Sequence, residues 1–132
     1  MEQIQKNSES KKILVTGSAG FIGGYLVQEF LDQGHKVIGI DNYSKYGKVE
    51  KSYDNHPNYK FYKEDVKNTK FLTEISKDCD YVVALAAMIG GITYFHQFAY
   101  DLLAENERIL ASTFDAAIEA HQKYNLKKIV VL

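Results

Sequence analysis

The feature that most constrains the fold is a run of strand, glycine-rich turn, helix and strand near the start of the chain. Residues 12–16 (KILVT) are apolar and stop at Gly17, which is typical of a strand buried on both faces of a parallel sheet. Residues 21–33 then repeat apolar side chains at helical spacing, and a second apolar run, residues 35–40 (HKVIGI), ends at Asp41. The pattern predicts a βαβ unit, so we expect an α/β fold.

The turn itself (GSAGFIG) carries glycine at its first, fourth and seventh positions. We expect Gly17 to permit the tight turn off the strand, Gly20 to let the backbone approach a pyrophosphate group, and Gly23 to let helix and sheet pack closely. The helix N-terminus then presents free N–H groups and the positive end of its dipole to the phosphates. The residues of the turn predicted to bind such a cofactor are Gly17, Ala19, Gly20, Phe21, Ile22 and Gly23.

An acidic residue, Asp41, closes the second predicted strand 18 residues after Gly23, as expected of a dinucleotide site. Its carboxylate is suited to accept hydrogen bonds from the adenosine ribose hydroxyls, and its charge would repel the additional phosphate of NADP. The pattern therefore predicts NAD as the cofactor. The alternative is that the glycines only shape a tight strand-to-helix turn and that Asp41 only caps the strand.

Strand and helix alternate along the rest of the chain. Strands are predicted at residues 59–62, 81–85 and 128–132, with a short helix at 67–77 and a long helix ending near Tyr124. These elements predict a Rossmann-type doubly wound parallel sheet with the strand order 3-2-1-4-5, truncated at the fifth strand. One face of the long helix is predicted to consist of the apolar residues Leu102, Leu103, Ile109, Leu110, Phe114, Ala117 and Ile118.

Length and composition indicate one soluble globular domain. The chain has 132 residues, of which 45% are hydrophobic and 25% charged, and its 16 basic and 17 acidic residues are interspersed, giving a formal charge of −1. This balance disfavours nucleic acid and an anionic membrane as partners. The single cysteine, Cys79, excludes a disulfide within the chain, so we expect a reducing, cytoplasmic setting and an inert thiol.

Three segments fall outside the strand and helix pattern. Residues 1–11 are polar and predict a flexible tail instead of a signal peptide, so the folded domain is expected to span residues 12–132. Residues 42–58 are polar, contain the only proline and predict an irregular excursion. The stretch from Tyr81 to Tyr100 lacks Asp, Glu, Lys and Arg and is as long as a membrane span, but its glycines and polar residues favour a buried strand, a loop and the start of a helix.

The turn GSAGFIG after KILVT, with DNYS after the second strand, resembles the extended short-chain dehydrogenase/reductase family, which includes NAD-dependent nucleotide-sugar epimerases and dehydratases. Glu64-Asp65-Val66 resembles the family's acidic step beside the adenine, although Asp65 alternatively serves only as a helix N-cap. Residues 83–87 (VALAA) resemble the end of the family's fourth strand, beside the nicotinamide-side ribose. The resemblance implies further cofactor contacts from Asn42, Asp65, Val66, Leu85, Ala86 and Ala87.

Two positions depart from the family's pattern. Most members carry a histidine where this chain has Ala84, and an asparagine is common where it has Leu110. Asn106 lies one helical turn earlier, and whether it substitutes is open; a solvent-exposed asparagine is favoured. Residues 88–92 (MIGGI) are similar to the double-glycine loop of the GDP-fucose synthase and GDP-mannose epimerase branch, which implies a nucleotide-sugar substrate.

The family runs its reaction with a Ser or Thr beyond the fifth strand and a Tyr-x-x-x-Lys pair on the next helix. Both would lie after Leu132, so we expect this chain to bind NAD without turnover and to lack the rest of the domain and the substrate domain. The resemblance implies transient hydride transfer from a sugar hydroxyl to bound NAD, and the parent protein is expected to be a homodimer. Two accidental matches, Tyr59–Lys63 and Tyr124–Lys128, fall outside the predicted helices and are not expected to act.

Two other functions fit the same pattern. A non-catalytic NAD-sensing module would use the same turn, and a plain NAD-dependent carbonyl reductase would need no large sugar-nucleotide pocket. The four histidines lie far apart in sequence and show no ligand spacing, which disfavours a metal site. Only His96 lies in an apolar loop from which it could contact substrate, and a structural role is favoured for it as well.

Overall fold

The computed structural model describes residues 10–43, 47–87 and 92–132, with side chains from residue 99 onward in the last range. In this part of the chain, strands and helices alternate as β1 Lys12–Thr16, α1 Phe21–Asp32, β2 Lys36–Asp41, β3 Tyr59–Lys63, α2 Thr69–Ser76, β4 Tyr81–Ala84, α3 Ile92–Lys123 and β5 Lys128–Val131. The strands form one parallel sheet in the order β3-β2-β1-β4-β5. The predicted Rossmann-type topology is therefore confirmed.

Both faces of the sheet are covered, and the strand sequences show why. Successive side chains of β1 point to opposite faces. Ile13 joins a core cluster with Val27 of α1, whereas Leu14 joins a second cluster with Leu72 of α2 and Ala116 of α3. A strand that is buried on both sides favours apolar residues at most of its positions, which explains the apolar runs in the sequence.

The ends of the two shorter helices are set by local chemistry. Gly34, just beyond α1, has φ of +90°, a conformation that glycine adopts without steric cost. Asn68 is the N-cap of α2, because its side chain accepts a hydrogen bond from the N–H of Phe71 at 3.2 Å. The alternative that Asp65 caps this helix is therefore wrong. Asp65 instead accepts the N–H of Lys67 at 2.8 Å, within the preceding loop.

The apolar residues of α3 do not form the one face that was predicted. Its buried positions carry small side chains, among them Ser112, Thr113, Ala116, Ala117 and Ala120. These let the helix lie close to the sheet and to α2. Ile109 packs against the core, but most of the larger apolar side chains are exposed, with Leu103 63% and Ile118 50% exposed. We call this exposed set the apolar stripe; its members are Tyr100, Leu103, Leu110, Phe114 and Ile118.

The segment between β2 and β3 is irregular, as predicted, over its described residues 42–43 and 47–58. It is nevertheless anchored, because the Tyr53 side chain is buried and packs edge-on against Tyr59, with 5.1 Å between ring centroids. Within the described ranges, none of the helices has the length and apolar character needed to span a bilayer. The predicted double-glycine loop at residues 88–92 falls largely on residues outside the described part.

Candidate nucleotide-binding site

A cavity of about 540 Å³ opens at the carboxyl ends of β1, β2 and β4, where the strand order reverses. This edge is the usual ligand position in an open parallel sheet. Twelve of the thirteen predicted cofactor residues line the cavity: Gly17, Gly20, Phe21, Ile22, Gly23, Asp41, Asn42, Asp65, Val66, Leu85, Ala86 and Ala87. The exception is Ala19. Sequence reasoning did not assign five further lining residues: Glu64, Lys67, Glu105, Ile109 and Leu132.

The first glycine of the turn is required by both its conformation and its surroundings. Gly17 has φ of +73°, and its N–H donates to the carbonyl of Ile40 at 2.8 Å. A Cβ at this position would lie 2.8 Å from the backbone nitrogen of Ala86. Any side chain would therefore be strained in the turn and would also collide with the chain leaving β4.

The other two glycines of the turn permit close backbone contacts. A Cβ at Gly23 would lie 2.9 Å from Cα of Ser18 and closer still to the carbonyl oxygen of Gly17. Gly23 thus lets α1 pack closely against the backbone of the turn that follows β1. Gly20 is the N-cap of α1 and supplies no side-chain cap, which leaves the helix N-terminus open towards the cavity.

The side chain of Ser18 points away from the cavity. It is only 1% exposed, and a Cβ at Gly39 would lie 2.6 Å from its hydroxyl oxygen and against the hydroxyl of Tyr59. Gly39 in β2 therefore makes room for this hydroxyl beneath the turn. As a result, the glycine-rich turn presents backbone groups and apolar side chains to the cavity.

Asp41 joins the turn to the end of β2. One carboxylate oxygen accepts the N–H of Ala19 at 3.0 Å, and the other accepts the N–H of Tyr43 at 2.7 Å. Ala19 therefore lies behind the cavity wall and fixes the acidic side chain that lines it. Each carboxylate oxygen has a second lone pair available for a hydroxyl donor.

A threonine that the sequence did not single out connects the turn to β4. Thr16 is completely buried, and its hydroxyl oxygen accepts the N–H groups of Leu85 at 3.1 Å and Ala86 at 3.2 Å. The signal for it is a hydroxyl residue at the last position of an otherwise apolar strand. This contact fixes the Leu85–Ala87 wall relative to the glycine-rich turn.

The acidic segment after β3 is held by α3. The Lys67 ammonium forms an ion pair with Glu105 and lies 3.6 Å from the Asp65 carboxylate. The hydrogen bond to Glu105 raises the pKa of Lys67. Deeper in the interior, Ser112 donates a hydrogen bond to the carbonyl of Val66 at 2.6 Å. Two residues of α3 therefore fix the wall formed by residues 64–67.

The two accidental Tyr-x-x-x-Lys matches are not helical. Tyr59 and Lys63 are the first and last residues of β3, so their Cα atoms are about 13 Å apart. Tyr124 follows α3 and Lys128 begins β5. The prediction that neither pair has the helical arrangement is confirmed.

The asparagine of α3 differs from the expectation for it. Asn106 is half-buried and makes an interaction within the protein, so the expectation of a solvent-exposed side chain is wrong. Leu110, which occupies the position where the family usually has asparagine, belongs to the exposed apolar stripe. The sequence did not show which of the two is the more buried, because both positions lie in a mixed stretch of polar and apolar residues.

The remaining titratable candidates make structural contacts. The imidazole Nδ1 atoms of His35 and His56 accept backbone N–H groups at 3.0 Å, and Nδ1 of His121 lies 2.7 Å from the carbonyl of Leu126. The His96 side chain lies outside the described part. Cys79 is buried, as expected for an inert thiol. Over the described ranges, no three His, Cys, Asp or Glu side chains converge as a metal site would require.

Comparison with known proteins identifies the family. Residues 13–132 match the model of the NAD dependent epimerase/dehydratase family. The chain belongs to this family. An uncharacterized protein of Methanocaldococcus jannaschii is 35% identical over 130 residues, which cover 91% of this chain and 38% of that protein. The chain thus spans well under half the length of this relative.

Solved structures of the family have the same fold. The UDP-N-acetylglucosamine 4-epimerase of Methanobrevibacter ruminantium, in complex with UDP-N-acetylmuramic acid, matches with a TM-score of 0.76 and 33% identity over 92% of this chain and 37% of that one. The Bordetella bronchiseptica enzyme WbmH, in complex with NAD+, matches with a TM-score of 0.69 and 25% identity, over 86% of this chain and 36% of that one. The resemblance inferred from the motifs is therefore confirmed at the level of the epimerase/dehydratase family.

Proposed function

We propose that this chain forms the NAD-binding part of a nucleotide-sugar epimerase or dehydratase. The observation that carries the proposal is that one cavity brings together the open N-terminus of α1, the Gly17 turn and the Asp41 carboxylate. Helix N-termini bind phosphate groups, and a carboxylate at the end of the second strand binds ribose hydroxyls. Membership of the epimerase/dehydratase family supports the same function.

The residues around the cavity support binding of NAD from its adenosine half to its nicotinamide-side ribose. The turn from Gly17 to Gly23 suits the pyrophosphate, because it leaves the N-terminus of α1 uncapped by any side chain and open towards the cavity. Asp41, Asn42, Asp65 and Val66 suit the adenosine half, while Leu85, Ala86 and Ala87 suit the nicotinamide-side ribose. The cavity volume lies within the ~300–1,000 Å³ common for cofactor sites.

NAD supplies a hydride acceptor when it is bound. This chain's own residues bind and orient it. Asp41 accepts ribose hydroxyls while its charge disfavours a phosphate at the same place, and this supports NAD over NADP. Thr16 holds the β4 end against the turn, so that the two halves of the cofactor site keep a fixed separation.

The substrate and reaction class are inferred from the relatives. WbmH was solved with NAD+, and the M. ruminantium epimerase acts on a UDP-sugar. We propose a nucleotide sugar as substrate, with transient oxidation of a sugar hydroxyl. The acid and base for that step are proposed to come from outside residues 12–132, because neither Tyr-x-x-x-Lys match has the helical arrangement. Residues 12–132 alone are therefore expected to bind NAD without turnover. The predicted tail falls largely on residues 1–9, which lie outside the described part, whereas Ser10 and Lys11 are hydrogen-bonded to residues 34–36.

We further propose that the parent protein is a homodimer in a reducing, cytoplasmic setting. The apolar stripe supports a protein contact, since five large apolar side chains lie on one solvent-facing side of α3. Leu110→Glu would place a charge at its centre. Sedimentation should then show a monomer where the unchanged protein is a dimer, and identical sedimentation of the two would contradict the role of the stripe. The single buried thiol of Cys79 supports the reducing setting.

Calorimetric titration with NAD and with NADP tests the cofactor assignment. We expect NAD to bind more tightly, and a preference for NADP would contradict the role of Asp41. Gly20→Val should abolish binding, because the side chain would occupy the approach to the pyrophosphate. Its thermal unfolding, measured in parallel, establishes that the variant is folded. A folded Gly20→Val protein with retained affinity would rule out the turn as the phosphate site.

A further inference from the structure

A buried chain of hydroxyl groups connects α3 to the wall of the cavity. Ser112 is 5% exposed, and its Oγ lies 2.6 Å from the carbonyl oxygen of Val66 and 2.8 Å from Oγ1 of Thr69. Val66 lines the cavity, whereas Ser112 does not. The contact therefore reaches the cofactor site from behind its wall.

The direction of each hydrogen bond follows from counting protons. A carbonyl oxygen only accepts, so the single proton of Ser112 is donated to Val66. The 2.8 Å contact with Thr69 then requires the threonine hydroxyl to donate to Ser112. We call these two linked hydrogen bonds the relay. The hydrogen bond from Thr69 polarises the Ser112 hydroxyl and so strengthens the hydrogen bond that Ser112 donates to the carbonyl of Val66.

The relay fixes a short irregular segment to α3. Residues 64–68 lie between β3 and α2 and contain no regular structure. On the solvent side, Lys67 is tied to Glu105 of α3. On the inner side, the tie from α3 is Ser112. Because the carbonyl of Val66 is held against α3, the orientation of the Val66 side chain in the cavity wall is held with it.

We propose that Ser112 is a positioning residue for the adenine half of NAD. The inference rests on the proposed function, since it assigns to Ser112 the geometry of the Asp65–Val66 wall in the NAD site. Ser112 itself touches no cofactor. Its hydroxyl holds the wall in the shape that accepts the adenosine, and without it the Val66 carbonyl is buried with an acceptor unpaired.

The neighbouring residue provides a matched control. Thr113 is also buried, at 3% exposed, but its hydroxyl donates to the carbonyl of Ile109 within α3 at 2.8 Å. Ser112→Ala and Thr113→Ala each remove one buried hydroxyl from the same turn of the same helix. Only the first removes a hydrogen bond to the cavity wall.

The experiment measures NAD and ADP-ribose affinities of the full chain by calorimetry. We expect Ser112→Ala to weaken both about fivefold and Thr113→Ala to change them less than about twofold. Amide hydrogen exchange of residues 64–69, without ligand, should accelerate in Ser112→Ala alone. Equal affinities for Ser112→Ala and the unchanged protein, or equal losses in both variants, would overturn the proposal.

A second variant covers the case in which Ser112→Ala does not fold. Thr69→Val replaces the relay's first hydroxyl with a methyl group of similar shape, and we expect a smaller loss of affinity than about fivefold together with faster exchange at residues 64–69. Unchanged affinity and exchange in Thr69→Val would then overturn the proposal. If the unchanged protein binds no NAD, the proposed function is wrong and the role of Ser112 is wrong with it. If the unchanged protein binds NAD but the variants do not behave as expected, only the role of Ser112 is wrong.

Discussion

The carboxylate of Asp41 accepts the backbone N–H of Ala19 at 3.0 Å, which ties the acidic residue at the end of β2 to the middle of the glycine-rich turn. The residue proposed to favour NAD over NADP is thus oriented by the turn proposed to bind the phosphates. We expect Asp41→Asn to lower NAD affinity about tenfold, because hydrogen bonds to a charged acceptor are stronger than those to a neutral one. NADP affinity should fall less, since the repelling charge is gone. Calorimetric titration with both dinucleotides measures the ratio.

Asp54→Asn is the control for this change. Asp54 also accepts a backbone N–H, from Lys51 at 2.9 Å, but it is exposed and does not line the cavity. Its NAD affinity should equal that of the unchanged protein. An equal drop in both variants would mean that Asp41 acts only through the fold.

Two costs of a side chain at Gly17 can be measured separately: the strain of its backbone conformation and the collision with neighbouring atoms. Gly47 has the same φ of +73°, but a Cβ there would meet no atom within 4 Å. Gly47→Ala should therefore lose about 1 kcal/mol of unfolding free energy, the cost of a left-handed conformation. Gly17→Ala should lose at least twice as much, because its Cβ also meets the backbone at Ala86. Urea unfolding measures both. Equal losses would show that the β4 end yields to the added methyl group.

At the opposite end of the sheet, the hydrogen bonds of the Asp80 carboxylate should make a contribution to stability that is lost in acid. The Lys127 ammonium, 2.7 Å from its carboxylate, and the backbone N–H of Lys12 hold the pKa of Asp80 below its ordinary value. This contribution is complete above the unfolded pKa of about 3.9 and is lost as the pH falls through the lower folded pKa. Asp80→Asn should cost about 1 kcal/mol at pH 7, and the difference should shrink towards pH 2.

Unfolding free energies of both proteins between pH 7 and pH 2 test this dependence. Asp78→Asn, two residues earlier, controls for the loss of a negative charge in the same loop. A stability difference for Asp80→Asn that persists unchanged at pH 2 would exclude the carboxylate as its source.

Because the Cys79 thiol is buried, its reactivity should report unfolding of the protein. Burial raises the pKa of its thiol to about 11, so at pH 7.5 almost no thiolate is present. A water-soluble disulfide reagent should label the folded protein only as fast as the core opens. In urea above the unfolding midpoint, labelling should be rapid. Rapid labelling of the native protein would contradict the buried position.

The parallel sheet and the turn were predictable because their signals are local. Gly17 interrupts an apolar run directly, and the run before Asp41 ends just as clearly. The cap of α2 was less certain, because Asp65 and Asn68 are both good N-caps and lie three residues apart. Only the structure decides which side chain faces the helix N-terminus.

The contribution of α3 to the site could not be predicted from the sequence. Glu105 and Ser112 resemble ordinary surface residues of a helix, and their partners Lys67 and Val66 lie 38 and 46 residues away in sequence. The buried side of α3 also consists of small residues, so the largest apolar side chains indicated the wrong face. Size and hydrophobicity identify a buried face only where the neighbouring element leaves room for large side chains.

Ser18, the one polar side chain of GSAGFIG, points inward beneath the turn. Phosphate binding and cofactor preference therefore depend on different groups. Phosphate recognition, as proposed, depends on backbone N–H groups, which do not titrate and which no substitution of a surface side chain removes. The proposed choice between dinucleotides depends on a single side chain, Asp41, on the neighbouring strand. Cofactor preference in this architecture can therefore change by a point mutation while the phosphate-binding turn stays as it is.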